Sequence, residues 1–167
     1  MESIPTTATG KTAILGFGNP VRADDGVGIY VVDQLKRQIG EPENISIFDM
    51  GTSAFEVLFQ LKGHEHIILV DAATNTGEPV GSVFKLPASE VEEQIEEDPM
   101  VFLHSLKWSQ ALSYARKMLG DDYPENIEVY LIAIESTRFN VGITDAAKQG
   151  GDRVVNLLLE VLKKYLP

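Results

Sequence analysis

Short apolar segments alternate along the chain with segments of helical periodicity, and this alternation restricts the fold more than any other feature of the sequence. The segment HIILVDA has no polar side chain between His66 and Asp71, which is typical of a central parallel strand covered on both faces. The segment DDGVGIYVVDQLKRQI instead repeats apolar residues at helical spacing, from Val27 to Leu35. This alternation predicts an α/β fold, a three-layer α/β/α sandwich around a mainly parallel, mixed central sheet.

One domain should hold all of these elements, because 167 residues is an ordinary length for a single core and no linker divides the chain. We expect residues 1–11 to form a flexible tail and residues 12–167 to form the domain. An acidic segment over 89–99 should be partly helical, and Gly150 and Gly151 should weaken the last helix. We predict strands over 12–18, 45–48, 66–72, 81–86 and 127–135, and helices over 24–39, 54–62, 104–120 and 144–166.

The composition excludes several classes of function. The formal net charge of −11 argues against nucleic acid or an anionic membrane as a partner, because both attract basic surfaces. The absence of cysteine removes disulfides, thiol nucleophiles and thiolate metal sites, which leaves carboxylate, imidazole or backbone ligands for any metal. No apolar segment approaches the roughly 20 residues of a membrane span, and MESIPTTATGK does not have the pattern of a signal peptide. We therefore expect a cytoplasmic protein.

Acidic residues follow strand after strand of the predicted sheet. Asp24 and Asp25 come after the first strand, Asp49 after the second, Asp71 at the end of the third, and Glu135 at the end of the last. Because ligands of open α/β sheets bind at the carboxyl ends of the strands, these acids should gather at one rim. Like charges in one place repel unless a cation or hydrogen-bond donors offset them. The pattern therefore favours a cation site.

The glycine loop after the first strand suggests two other interpretations, which the residues fit poorly. A dinucleotide fingerprint would continue Gly16 and Gly18 with a third glycine, where this chain has Val21. A serine hydrolase would need the elbow G-x-S-x-G, whereas GTSAF lacks its last glycine. Ser53 is better explained as a helix cap, a role that Thr52 could also take.

A phosphoacceptor domain of the receiver type is an alternative from another class. Two acids after the first strand and Asp71 after the third would surround a magnesium ion, with Asp71 as the phosphoacceptor. Such a domain should have a lysine after its last core strand, and this chain supplies only Arg138 there. A receiver-like, metal-binding signalling module stays open as the alternative.

Three histidines could supply a nitrogen ligand to a metal. His64 and His66 enter a strand, where such side chains are more often solvated. His104 lies near the N-terminus of a predicted helix, where the helix dipole favours the neutral imidazole that binds metal. Two carboxylates and one neutral imidazole form a ligand set that accepts Ni²⁺, Zn²⁺ or Mn²⁺.

The motifs GFGNPVRADDGVG, DMGTS, ILVDA and IAIES, with a histidine that opens a helix, together resemble the hydrogenase maturation endopeptidases. The resemblance runs from about Thr12 to the last helix. It implies a peptidase with an α/β/α fold that removes the C-terminal extension of a nickel–iron hydrogenase large-subunit precursor once nickel has been inserted. The peptidase would be metal-dependent or of aspartyl type, and the precursor would be its partner.

The resemblance also implies which residues act. Asp25, Asp71 and His104 match the metal-contacting positions of the family and would be both metal ligands and catalytic residues. Residues that contact the substrate or support these ligands would be Asp24, Asp49, Gly51 and Thr52. The implied metal is Ni²⁺, either bound by the enzyme or carried by the precursor, and Zn²⁺, Mn²⁺ or Cd²⁺ could substitute for it. We expect a monomer that binds neither nucleic acid nor membrane.

Overall fold

The computed structural model describes residues 11–19, 21–52, 61, 63–90, 108–135 and 142–166. Several predicted segments lie outside these ranges, namely the N-terminal tail except Lys11, nearly all of the helix over 54–62, and the acidic segment after residue 90. The division into a tail and a single domain therefore stays a prediction.

Five strands of the described chain form one sheet. They are β1 (Thr12–Phe17), β2 (Ile45–Gly51), β3 (His66–Ala73), β4 (Val83–Pro87) and β5 (Asn126–Ala133). Their order across the sheet is β2-β1-β3-β5-β4, and each neighbouring pair is parallel except β4 and β5, which are antiparallel. The prediction of a mainly parallel, mixed sheet is confirmed, with the antiparallel strand at one edge.

Helices cover both faces of this sheet. Helices α1 (Val27–Ile39) and α3 (Asp145–Leu162) pack on one face, and helix α2 (Trp108–Leu119) packs on the other. Alternate side chains of β1, β2, β3 and β5 supply the two cores, so that Ile14 joins the cluster under α1 and α3 while Leu15 joins the cluster under α2. The predicted sandwich is therefore confirmed. Among the described helices, none is both long enough and apolar enough to cross a membrane.

Helix α3 runs without a break through Gly150 and Gly151, so the weakening predicted at this point does not interrupt it. A Cβ atom on Gly150 would lie 2.6 Å from the carbonyl oxygen of Gly81, and one on Gly151 would lie 2.9 Å from the ring of Tyr30 in α1. The Tyr30 hydroxyl also donates a hydrogen bond of 2.6 Å to Asp152 in α3. The two glycines thus let α3 pack closely against α1 and the turn before β4, which offsets their poor helix propensity.

Candidate active site

The carboxyl ends of β1 and β3 lie side by side in the sheet. The strands pair in parallel with Gly16 opposite Val70, so Asp71 comes next on β3 where β1 is about to end. The chain that leaves β1 turns into a short 3-10 helix over Ala23–Gly26, which contains Asp25. The sheet therefore brings the glycine loop and Asp71 to the same rim, as the sequence predicts.

Glycines let the loop after β1 close tightly over the ends of the strands. Gly18 has a φ of +148°, and a Cβ atom there would lie 2.1 Å from the carbonyl oxygen of Asp25. A Cβ atom on Gly28, in the first turn of α1, would lie 2.2 Å from the carbonyl oxygen of Phe17 and 2.8 Å from that of Val70. No other residue fits at these two positions without moving the backbone, so the glycines fix where Asp25 stands relative to β3.

The side chain of Asp25 folds back onto its own loop. The backbone N–H of Asn19 donates to Asp25 Oδ2 at 3.1 Å, and the Asn19 side chain accepts from the backbone N–H of Val21 at 3.1 Å. One oxygen of the Asp25 carboxylate is therefore held by the loop, and this side chain remains partly exposed at the rim.

Asp71 is partly buried, and both of its carboxylate oxygens accept hydrogen bonds. The backbone N–H of Ala72 donates to Oδ1 at 2.8 Å, and the indole Nε1–H of Trp108 donates to Oδ2 at 2.7 Å. Burial raises the pKa of Asp71 from 3.8 to about 6; the two hydrogen bonds oppose this rise, and the negative charge of Asp25 adds to it. The two carboxylates are therefore close enough to repel each other.

Asp24 stands next to Asp25 in sequence but is directed elsewhere. It is only 1% exposed, and its two oxygens accept from the backbone N–H and the hydroxyl of Thr144 at 2.7 and 2.9 Å. Thr144 is the N-cap of α3, where its hydroxyl accepts from the N–H of Ala147. Asp24 therefore ties the acidic loop to the start of α3, and both of its oxygens are taken by that tie.

The end of β2 completes the rim beside the glycine loop. Asp49 accepts from the backbone N–H of Gly51 at 2.9 Å, and Gly51 has a φ of +55° that favours glycine. The carbonyl oxygen of Gly51 accepts from the N–H of Gly18 at 2.9 Å, which connects the two loops. Thr52 is exposed next to them, whereas Glu135 lies exposed two residues after β5 ends.

The predicted third ligand, His104, lies outside the described residues, as do Ser53 and Arg138. Within the described ranges, no three His, Cys, Asp or Glu side chains meet in an arrangement that could hold a metal ion. Asp25 and Asp71 do suit a divalent cation as a pair, because they are oxygen donors whose mutual repulsion a cation would relieve.

His66 is buried, so the expectation of a solvated side chain at this strand start was wrong. It is 3% exposed at the amino end of β3, away from the rim, with its Nε2 atom 3.8 Å from a Glu128 carboxylate oxygen. The Tyr165 hydroxyl lies 3.5 Å from its Nδ1 atom. Burial lowers the pKa of His66, and the nearby charge of Glu128 opposes this effect. The histidine therefore belongs to the core and takes no part in the site.

Trp108 is the site residue that sequence reasoning missed. Its ring packs against Phe17 at the end of β1, with 6.3 Å between the ring centroids and 33° between the ring planes. Two signals in the sequence could have found it, since it is the only tryptophan of the chain and follows His104 by four residues, one helical turn.

Taken together, the fold and the rim define an α/β sandwich protein whose acidic site lies at the ends of two neighbouring parallel strands. A profile of the hydrogenase maturation protease family matches residues 29–161, and the chain belongs to that family. It is therefore a peptidase of hydrogenase maturation, as the motifs predict, and the receiver-like alternative is set aside.

Individual relatives match over nearly the whole chain. A candidate hydrogenase maturation protease of Methanocaldococcus jannaschii is 29% identical over 168 residues, which cover 92% of this chain and 89% of that protein. The hydrogenase 2 maturation protease of Escherichia coli is 23% identical, with 92% of each chain covered.

Solved structures of the family share the fold. The hydrogenase-maturating endopeptidase HybD from Escherichia coli superimposes with a TM-score of 0.76 at 22% identity, with 93% of each chain covered. A [NiFe] hydrogenase maturation protease, HycI, from Thermococcus kodakarensis superimposes with a TM-score of 0.67 at 23% identity, with 92% of each chain covered. At these identities the likeness establishes the fold.

Proposed function

We propose that the protein is a nickel-dependent endopeptidase that removes the C-terminal extension of a nickel–iron hydrogenase large-subunit precursor. The names of its relatives support this substrate, since one is a hydrogenase 2 maturation protease and another a [NiFe] hydrogenase maturation protease. The observation that carries the proposal for this chain is the meeting of Asp25 and Asp71 at one rim, where they offer two oxygen ligands to a nickel ion.

In this proposal the nickel arrives as part of the substrate. Asp25, Asp71 and His104 are the ligands, and the repulsion between the two carboxylates is relieved when nickel binds, which in the reaction happens as a loaded precursor docks. The ion would supply Lewis acidity, either to the peptide carbonyl or to a water molecule whose pKa it lowers. Cleavage would therefore depend on the prior insertion of nickel.

The other residues of the rim would present the ligands and receive the precursor. The N–H of Asn19 orients the Asp25 carboxylate, and Asp24 fixes the acidic loop to α3. Asp49, Gly51 and Thr52 form the adjoining edge, where the exposed side chains of Asp49 and Thr52 would contact the peptide. These roles would explain why so many motif residues lie outside the ligand set.

The partner and the setting belong to the same proposal. The precursor is the protein partner of a cytoplasmic monomer that binds neither nucleic acid nor membrane. The formal net charge of −11 supports the last point, that the protein binds neither nucleic acid nor membrane, because nucleic acids and anionic lipids repel such a surface.

The proposal is tested by mixing the purified protein with nickel-loaded and nickel-free precursor from the same source and measuring cleavage by mass spectrometry. We expect cleavage of the loaded form alone, and its loss in Asp25→Ala, Asp71→Ala and His104→Ala. Asp33→Ala is the matched control, because Asp33 is an exposed acid of α1 that pairs with Arg37 at 3.2 Å.

Two results would contradict the proposal. Equal cleavage of loaded and nickel-free precursor would show that cleavage does not depend on nickel. Full activity in Asp25→Ala or Asp71→Ala would show that the replaced residue is not a required ligand, provided that Asp33→Ala is equally active.

A further inference from the structure

We propose that Trp108 is a positioning residue that holds the Asp71 carboxylate in the orientation in which it receives a metal ion. The inference rests on the proposed function, in which Asp71 is a nickel ligand. It concerns how this chain prepares that ligand, and it is carried by the hydrogen bond of 2.7 Å from Trp108 Nε1–H to Asp71 Oδ2.

The hydrogen bonds to Asp71 leave the carboxylate little freedom to turn. Ala72 N–H holds Oδ1 at 2.8 Å while Trp108 holds Oδ2, so each oxygen has one partner among the described residues. A carboxylate has about four lone-pair positions, and these two hydrogen bonds occupy two of them. Because the orientation is already set, little conformational entropy is lost when a cation binds.

Trp108 is itself held in place at the junction of three elements. It is the first described residue of α2, its ring packs on Phe17 at the end of β1, and its N–H reaches Asp71 on β3. The ring is partly buried against the core under α2. A shift of α2 relative to the sheet would therefore move the donor away from the carboxylate.

An indole suits this task better than most other donors. Its Nε1–H donates and has no acceptor, so it orients a carboxylate without becoming a metal ligand itself. A histidine or a serine at the same place could bind the ion or exchange roles in the hydrogen bond. Partners that orient metal ligands typically change metal affinity by about 10–100-fold when they are removed.

The chain also contains the means to test this contact directly, because Trp108 is its only tryptophan. The uniformly ¹⁵N-labelled protein should give a single indole N–H cross-peak in a two-dimensional NMR spectrum. We expect that peak to move when Asp71→Ala removes the acceptor and to stay in place in Asp33→Ala. Paramagnetic Ni²⁺ should broaden the peak of the wild-type protein, whereas diamagnetic Zn²⁺ should only shift it.

Calorimetric titration of the full chain with Ni²⁺ then measures how much the hydrogen bond from Trp108 to Asp71 contributes to the affinity for the metal ion. Trp108→Phe keeps an aromatic ring and removes the donor, and we expect its affinity for Ni²⁺ to fall by about 10–100-fold. Met118→Ala is the matched control, since it truncates an exposed side chain of the same helix and leaves Trp108 and its neighbours unchanged. Its affinity should fall much less.

Each remaining outcome identifies what has failed. If the indole peak does not move in Asp71→Ala, or if Trp108→Phe binds Ni²⁺ as tightly as the wild type, the positioning role of Trp108 is overturned. The proposed ligand set is not affected by either result. A wild-type protein that binds no Ni²⁺ would also overturn it, because a carboxylate held ready for a cation should bind one. If Asp71→Ala itself binds Ni²⁺ as tightly as the wild type, the error lies in the proposed function instead.

Discussion

A methyl group at position 28 tests whether the close packing of the glycine loop maintains the site. Gly28→Ala would place a Cβ atom 2.2 Å from the carbonyl oxygen of Phe17 and 2.8 Å from that of Val70. The closest favourable contacts between carbon and carbonyl oxygen are about 3.3 Å, so α1 must move away from the strand ends by about 1 Å. Both obstacles are backbone atoms, which cannot rotate aside.

The expected cost follows from two opposing effects. Overpacking of this kind costs about 1–3 kcal/mol, sometimes more, and the better helix propensity of alanine returns about 1 kcal/mol. Because the contacts of Gly28 are so short, we expect the upper end of this range and a net loss of about 2 kcal/mol. The same movement displaces Asp25 from Asp71, and a 1 Å misplacement in a site can cost about 100-fold in rate.

Urea denaturation measures the stability, and the cleavage assay measures the site. Gly142→Ala is the matched control, because its Cβ atom would meet no atom of the described residues within 4 Å; we expect a change within about 0.5 kcal/mol. Equal urea midpoints for the two variants would refute the packing argument. A loss of stability in Gly28→Ala with unchanged cleavage would refute the link between α1 and the site.

Three further perturbations separate the structural contacts from the site. Burial lowers the pKa of His66, so as the pH falls from 7 through 6.5 the unfolded chain takes up a proton that the folded protein does not, and the folded state should lose stability. Thermal midpoints measured against pH should fall less steeply in His66→Phe than in the wild type. Asp24→Ala removes both bonds to Thr144 and should cost about 1–3 kcal/mol in urea denaturation, and an unchanged midpoint would contradict its tie to α3. Tyr30→Phe should lower the free energy of unfolding by about 0.5–1.5 kcal/mol, because it removes the hydrogen bond to Asp152. In the wild type a spectroscopic titration should place the pKa of Tyr30 at about 12, because burial and the hydrogen bond to Asp152 raise it.

The pattern of apolar residues correctly predicted those strands and helices whose place in the fold follows from the burial of their side chains. The continuous run of β3 requires cover on both faces, so both its central place and the position of Asp71 near its end could be derived from the sequence. The direction of β4 could not be derived, because a strand at the edge of a sheet can pair either way and its turn decides which. Helix α1 begins at Val27, three residues later than predicted, because Ala23–Gly26 forms a 3-10 turn.

The acids of the rim show where sequence reasoning stops. Asp24 and Asp25 are adjacent and chemically identical. Within the 3-10 turn, however, Asp24 is hydrogen-bonded to the start of α3, whereas Asp25 lies at the rim of the site. The partner of Asp71, Trp108, is 37 residues away, and only the packing of α2 on the sheet makes them neighbours. His66 was misjudged for the same reason, since the residues that bury it come from distant elements.

The bond between Asp24 and Thr144 also bears on the order in which this protein is made. It joins residues 120 positions apart, so the loop that presents Asp25 lacks this support until the chain has been synthesised past residue 144. At roughly 5–20 residues per second, the ribosome needs about 6–24 s to bridge that interval. A growing chain therefore contains the acidic loop long before it can form this tie, and the loop receives its full support only when α3 docks.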